Sequence, residues 1–154
     1  MTLAYDTMTA AVTAMMAGNE FAVSAFIHPQ LRRLDGRAHA QAAAPIAAVL
    51  GKAMPVWYSL AFALLVGAAF EHRPISHGPG LCLALAASLW AATIVFTVTM
   101  LVPINNRIAK MNFERPYDAG LSDCARWDVL HRIRVAVLMV SVFLLIAGLL
   151  QSSR

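Results

Sequence analysis

The residues best suited to chemistry lie far apart in this chain. Glu20 is the one charge in residues 8–27, and His28 follows it next to Pro29. Trp127, His131 and Arg134 recur at i, i+4 and i+7, a spacing that puts all three on one helical face. A carboxylate or an imidazole can act as a general base. A guanidinium, helped by the amides of Asn105 or Asn106, can hold a developing oxyanion. Glu20, His28 and His131 would also make a His/His/carboxylate set suited to a single iron, copper or zinc ion, although no compact ligand motif joins them. Ser24 and Thr97 are candidate substrate-lining positions with Asn106 and Trp127. Each residue also has a plain structural use. Glu20 can pair with Arg134 or His131, and His28 can end a helix. Trp127 and Arg134 can anchor at a membrane interface, and Thr97 can pack between helices.

The elements that must carry these residues follow from composition. The chain has 154 residues, 60% of them hydrophobic and only 13% charged, about half the ~25% usual in soluble domains. That excludes a disordered chain and argues against a soluble one. Cys82 and Cys124 are too few for a disulfide framework. The net charge of +4 does not form a nucleic-acid patch, because the bases fall in short blocks between apolar runs. Four runs approach the ~20 residues that cross a bilayer: 8–27, 53–70, 81–104 and 128–150. The expectation is an all-α, integral membrane four-helix bundle, a single membrane domain over 1–154. Residues 1–27 hold no Lys or Arg, so they read as a span and not as a cleaved leader.

Ten of the twelve Lys and Arg residues fall in 28–52 and 105–134. The positive-inside rule then turns both connections to the cytoplasm and both termini outward, in a multi-pass inner-membrane protein. Helix two is expected to run from near Arg37 to Phe70, with kinks at Pro45 and Pro55. Residues 112–122 read as loop broken by Pro116 and Gly120, with Ser122 or Asp123 capping helix four. Glu20 is then the only acid inside a span. With this topology Glu20, Ser24, His28, Asn105, Asn106, Trp127, His131 and Arg134 converge at the inner mouth, where ionisable residues are functional candidates.

The stretches VPINNRIAKM (102–111), WDVLHRIR (127–134) and AGNEFAVSAFIHPQL (17–31) resemble, in order and spacing, the anthrone oxygenase-like family of small four-helix membrane proteins. The resemblance implies oxidation of polycyclic anthrones to anthraquinones by molecular oxygen, without an evident organic cofactor. It also implies functional roles for Asn105, Trp127, His131 and Arg134. His131 stands where anthrone-oxidising members more often carry Asn, which favours a different chemistry there, metal ligation included. The expected function is an oxygenase acting on a lipophilic aromatic or quinone-like molecule that arrives from the bilayer. Glu20 or His131 would take the proton, with Arg134 and Asn105 holding the oxyanion. The cofactor would be none or one transition metal, Fe or Cu. Non-covalent haem on His28 and His131 is a lesser alternative, since no CxxCH occurs. The rival reading is a non-enzymatic small subunit or carrier, in either case with a possible homo-oligomer.

Overall fold

A computed structural model of the chain describes residues 2–110 and 118–152, and the described residues form helices and no strand. Helix α1 runs Thr2–Ala22, opens into a π turn at Val23–Ile27 and closes with His28–Leu31. Helix α2 is Gly36–Glu71. Helix α3 is Gly78–Phe96, with a π turn at Thr97–Leu101 and an end segment Val102–Ile108. Helix α4 is Asp118–Ser152. Four stretches are long and apolar enough to cross a membrane: Leu3–Leu31, Gly36–Glu71, Gly78–Ile108 and Ser122–Ser152. The protein is therefore a multi-pass membrane protein.

Local chemistry explains the ends. Asp35 caps α2, its carboxylate accepting from the Arg37 and Ala38 amides at 3.1 and 2.9 Å. The helix then continues as α-helix through Pro45 and Pro55 for 36 residues, about 54 Å at 1.5 Å per residue. It outreaches both the apolar window 53–70 and the ~30 Å hydrocarbon core. Helix α4 starts at Asp118, which corrects two expectations. Gly120 lies inside the helix and breaks nothing, and neither Ser122 nor Asp123 is its cap. The Asp123 carboxylate instead takes a bidentate pair of bonds from Arg107, both 2.7 Å, tying α3 to α4. Of the loop expected over 112–122, residues 112–117 lie outside the described residues and 118–122 are helix.

The helices pack in a ring, α1 on α2, α2 on α3, α3 on α4 and α4 back on α1. Large apolar side chains cover the outside, among them Met15, Val56, Val95 and Phe143, as lipid contact allows. The inside is rich in small residues, with Ala17, Ala61, Ala68 and Ala86 fully buried, so that backbones approach closely. At Gly67 an added Cβ would sit 2.0 Å from the Tyr5 hydroxyl, which donates to the Leu64 carbonyl at 3.0 Å. Trp90 Nε1 donates to the Tyr58 carbonyl, and Ser141 Oγ to that of Ala86. These bonds satisfy polar atoms where no water reaches.

The two π turns share one design. The His28 N–H reaches the Val23 carbonyl and the Val102 N–H that of Thr97, both i→i+5. Proline is the second residue after each turn, Pro29 and Pro103. Proline donates no N–H and crowds the carbonyl four residues back, and a wider turn relieves that crowding. Pro45 and Pro55 carry no such turn, so proline permits the π turn without dictating it. The extra residue rotates the remainder of the helix by one position, about 100°. The basic ends of α1 and α3 thus face the bundle differently from their upper halves.

Candidate functional site

Below the packed half, α1, α3 and α4 bring a polar network together. Glu20, His131 and Arg134 are buried, each 5% exposed or less. Arg134 Nη2 donates to Glu20 Oε2 at 2.5 Å and to His131 Nδ1 at 2.8 Å. His131 Nε2 donates to the backbone carbonyl of Glu20 at 3.2 Å. A carbonyl only accepts and a guanidinium only donates, so these partners assign His131 the neutral form with its proton on Nε2. The carbonyl it uses lies just before the π turn of α1, where the i→i+4 ladder gives way to i→i+5. On the opposite side Arg134 Nη1 reaches Thr97 Oγ1, in the π turn of α3, at 3.4 Å. The Arg134 guanidinium lies 5.5 Å from the centre of the Tyr58 ring and 5.9 Å from that of Trp127, within cation–π range.

This network forms one wall of a cavity of about 240 Å³, near the small end of ligand pockets at ~300–1,000 Å³. Apolar residues such as Val23, Met54, Ile94 and Leu101 complete it. Six lining residues are also exposed on the outer surface: Gly51, Pro55 and Ser59 on α2, and Val98, Val102 and Asn106 on α3. Each trio is spaced i, i+4, i+8, so the cavity opens sideways between α2 and α3. Asn105 also lines it, its amide donating to the Ala47 carbonyl of α2 at 3.0 Å. One buried donor on the walls, Arg134 Nε, has no hydrogen-bond partner among the described residues, and the buried Tyr58 hydroxyl beside it faces the Glu20 carboxylate.

Of the expected residues, Glu20, Thr97, Asn105, Asn106, Trp127, His131 and Arg134 share this cavity, and Ser24 and His28 do not line it. Ser24 sits half-exposed in the π turn. His28 Nδ1 pairs with Asp128, whose other oxygen meets Arg32 Nε at 3.2 Å. The Trp127 ring stacks on both imidazoles, 4.7 Å from His28 and 4.5 Å from His131. The three candidate metal ligands are therefore not assembled as a ligand set. Among the described residues no group of three His, Cys, Asp or Glu side chains is placed to hold a metal ion. Arg134 and the Glu20 carbonyl engage both nitrogens of His131, which also leaves none for a haem iron.

Two residues were not anticipated. Asp128 is buried at 4% exposure inside α4, which corrects the expectation that Glu20 is the only acid in a span. Its signal was its place beside Trp127, hidden by setting the span to begin there. Tyr58 sits in an apolar run where a phenol reads as packing. Only its position under Arg134 marks it.

A family model described as anthrone oxygenase matches residues 47–144. The match takes in Tyr58, Thr97, Asn105, Trp127, His131 and Arg134, and leaves Glu20 and His28 outside. No curated protein matches the chain, and neither does any solved structure. The matched stretch carries most of α2, all of α3 and the cavity-lining part of α4, and on that basis the chain belongs to the anthrone oxygenase family.

Proposed function

We propose that the chain is an oxygenase that oxidises an anthrone-like ring ketone in the cavity, with the basic end of the bundle on the cytoplasmic side of the inner membrane. An anthrone has a methylene opposite its carbonyl, and loss of one methylene proton leaves an aromatic anthranolate. Glu20 is the base. It lines the cavity, whereas both nitrogens of His131 are already engaged. Arg134 holds the Glu20 carboxylate in place, and His131 Nδ1 accepts from the same Nη2, 3.3 Å from Glu20 Oε2. The negative charge moves to the ketone oxygen. There the Tyr58 hydroxyl and Arg134 Nε–H donate to it. The carbanion gives an electron to molecular oxygen and the two radicals combine, forming a C–O bond and a peroxide. Glu20 returns its proton to the outer peroxide oxygen, and loss of water, made of that O–H and the second methylene hydrogen, yields the second carbonyl. The methylene carbon loses four electrons and O₂ accepts four, one oxygen entering the quinone and the other leaving as water.

The observation that carries this reading is Arg134 Nε, a buried donor on the cavity wall with no hydrogen-bond partner among the described residues, next to the Tyr58 hydroxyl. A buried donor without an acceptor costs ~1–3 kcal/mol, and a native protein keeps such a group for a reason. A substrate oxyanion between Tyr58 and Arg134 supplies one.

The test is oxygen uptake and quinone absorbance with 1,8-dihydroxyanthrone in proteoliposomes. Tyr58→Phe should lower kcat/KM about 10–100-fold, the equivalent of ~1.5–3 kcal/mol for a hydrogen bond to a charged group, while leaving thermal stability unchanged or raised. Wild-type activity in Tyr58→Phe would remove the phenol from the mechanism. A wild-type protein that consumes no oxygen with this compound would sink the proposal.

A further inference from the structure

We infer that the cavity loads from the bilayer through the gap between α2 and α3, with Ser59 and Val98 as the two sides of its gate. The inference rests on the cavity being the substrate site proposed above and adds the route by which that site is reached.

The gap is a slot. Its walls are the exposed trios Gly51, Pro55, Ser59 and Val98, Val102, Asn106, each covering eight residues of rise, about 12 Å along the helix. The α2 wall is thin, made of a glycine, a proline and a serine. The α3 wall carries two valines, whose branched side chains hold one rotamer in a helix. A long, narrow opening of this kind admits a flat ring system edge-on.

Depth along the helices gives the slot its solvent. Ser59 lies seven residues, about 10 Å, beyond Lys52, and Val98 lies nine residues, about 13 Å, before Arg107. No charge intervenes in either stretch. The upper end of the slot is therefore in hydrocarbon. The lower end, at Gly51 and Asn106, is beside the charges. A molecule with an apolar body and one polar edge fits that gradient.

Among the described residues the way from the basic end is narrow, a second cavity of about 30 Å³ that adjoins the first at Leu50, Asn105 and Trp127. Leu101, Ile104, Ile108 and Trp127 form a buried cluster with Ala43 and Ala47 of α2. Asn105 bonds the Ala47 carbonyl across the same junction. This cluster constricts the path between the cavity and the Arg107–Asp123 tie, and the lateral slot opens directly on the larger cavity.

A cysteine reporter inside the cavity tests the route without requiring turnover. In a Cys82→Ser/Cys124→Ala background reconstituted in bilayers, Met54→Cys, with Leu50→Cys as a second reporter, is treated with one of two probes. N-(1-pyrenyl)maleimide is a flat polycycle that partitions into lipid, and a stilbene disulfonate maleimide is charged and excluded from it. The pyrene reagent should label, and the charged one should not over the same interval. Adding Val98→Trp or Ser59→Trp should slow pyrene labelling at least tenfold. Val95→Trp and Val56→Trp, equally exposed but off the cavity wall, should not slow it. Equal labelling by the charged reagent, or gate variants that label like their controls, would overturn the route. Gated labelling in a protein that oxidises no 1,8-dihydroxyanthrone would uphold the route and overturn the substrate.

Discussion

Charge removal at the Glu20–Arg134 pair gives the most direct test of how the site is held. The two side chains are 3% and 6% exposed and lie 2.5 Å apart. Unit charges about 4 Å apart attract by ~4 kcal/mol at an effective dielectric of ~20. Breaking a buried pair from one side costs ~3–5 kcal/mol, because the charge left behind stays desolvated. Glu20→Gln strands the Arg134 guanidinium, and Arg134→Met strands the Glu20 carboxylate. Each should lower stability by ~3–5 kcal/mol, about two to four decades in the folding equilibrium. The double variant buries neither charge. It should recover ~3 kcal/mol relative to the sum of the singles, a coupling well above the ~0.5 kcal/mol seen for independent sites. Reversible unfolding in mixed micelles of rising SDS content measures all four corners of the cycle. Additive singles would refute the pairing, and so would singles that each cost under ~1 kcal/mol. The double variant also separates two roles. If it folds as well as the wild type and oxidises no anthrone, the pair acts in chemistry beyond its part in packing.

Two further perturbations probe the frame around the site. Pro103→Ala restores the N–H that the Thr99 carbonyl lacks and lets the π turn of α3 rewind, turning Asn105 away from the Ala47 carbonyl. Anthrone oxidation should fall more than tenfold and amide exchange over 97–106 should slow; unchanged exchange would show that the turn does not depend on this proline. Gly51→Val places a Cβ 2.9 Å from Asn105 Nδ2. It should cost ~1–3 kcal/mol of stability through overpacking and raise KM for 1,8-dihydroxyanthrone, and a KM at the wild-type level would contradict this role for Gly51.

Much of this architecture was legible because membranes punish charge. The uncharged runs 53–70 and 74–106 mark two of the spans directly, although α2 itself begins at Gly36. The meeting of Glu20 with Arg134 followed from alternating helix direction together with the i, i+4, i+7 face of α4. What escaped depends on events one residue wide. The π turns leave no hydropathy signal, and Pro29 and Pro103 look no different from Pro45 and Pro55. Helix α4 begins ten residues before its apolar run, so Asp128 fell on a boundary when it is in fact buried in the bundle. His28 was grouped with His131 by depth, and their rings do lie 5.7 Å apart, yet Asp128 takes the His28 Nδ1 and holds it off the cavity wall.

The paired π turns carry a consequence for how such a protein can change over generations. A helix of constant register shows its neighbours a single stripe, and any residue exchanged on that stripe is felt along its whole length. One extra residue near the middle of α1 and of α3 gives each helix two stripes with separate duties. The upper stripe is free to conserve its alanines and close contacts, while the lower one can exchange Val98, Val102 or Asn106 for a substrate of another shape. The bundle keeps its hold on the membrane while its chemistry drifts.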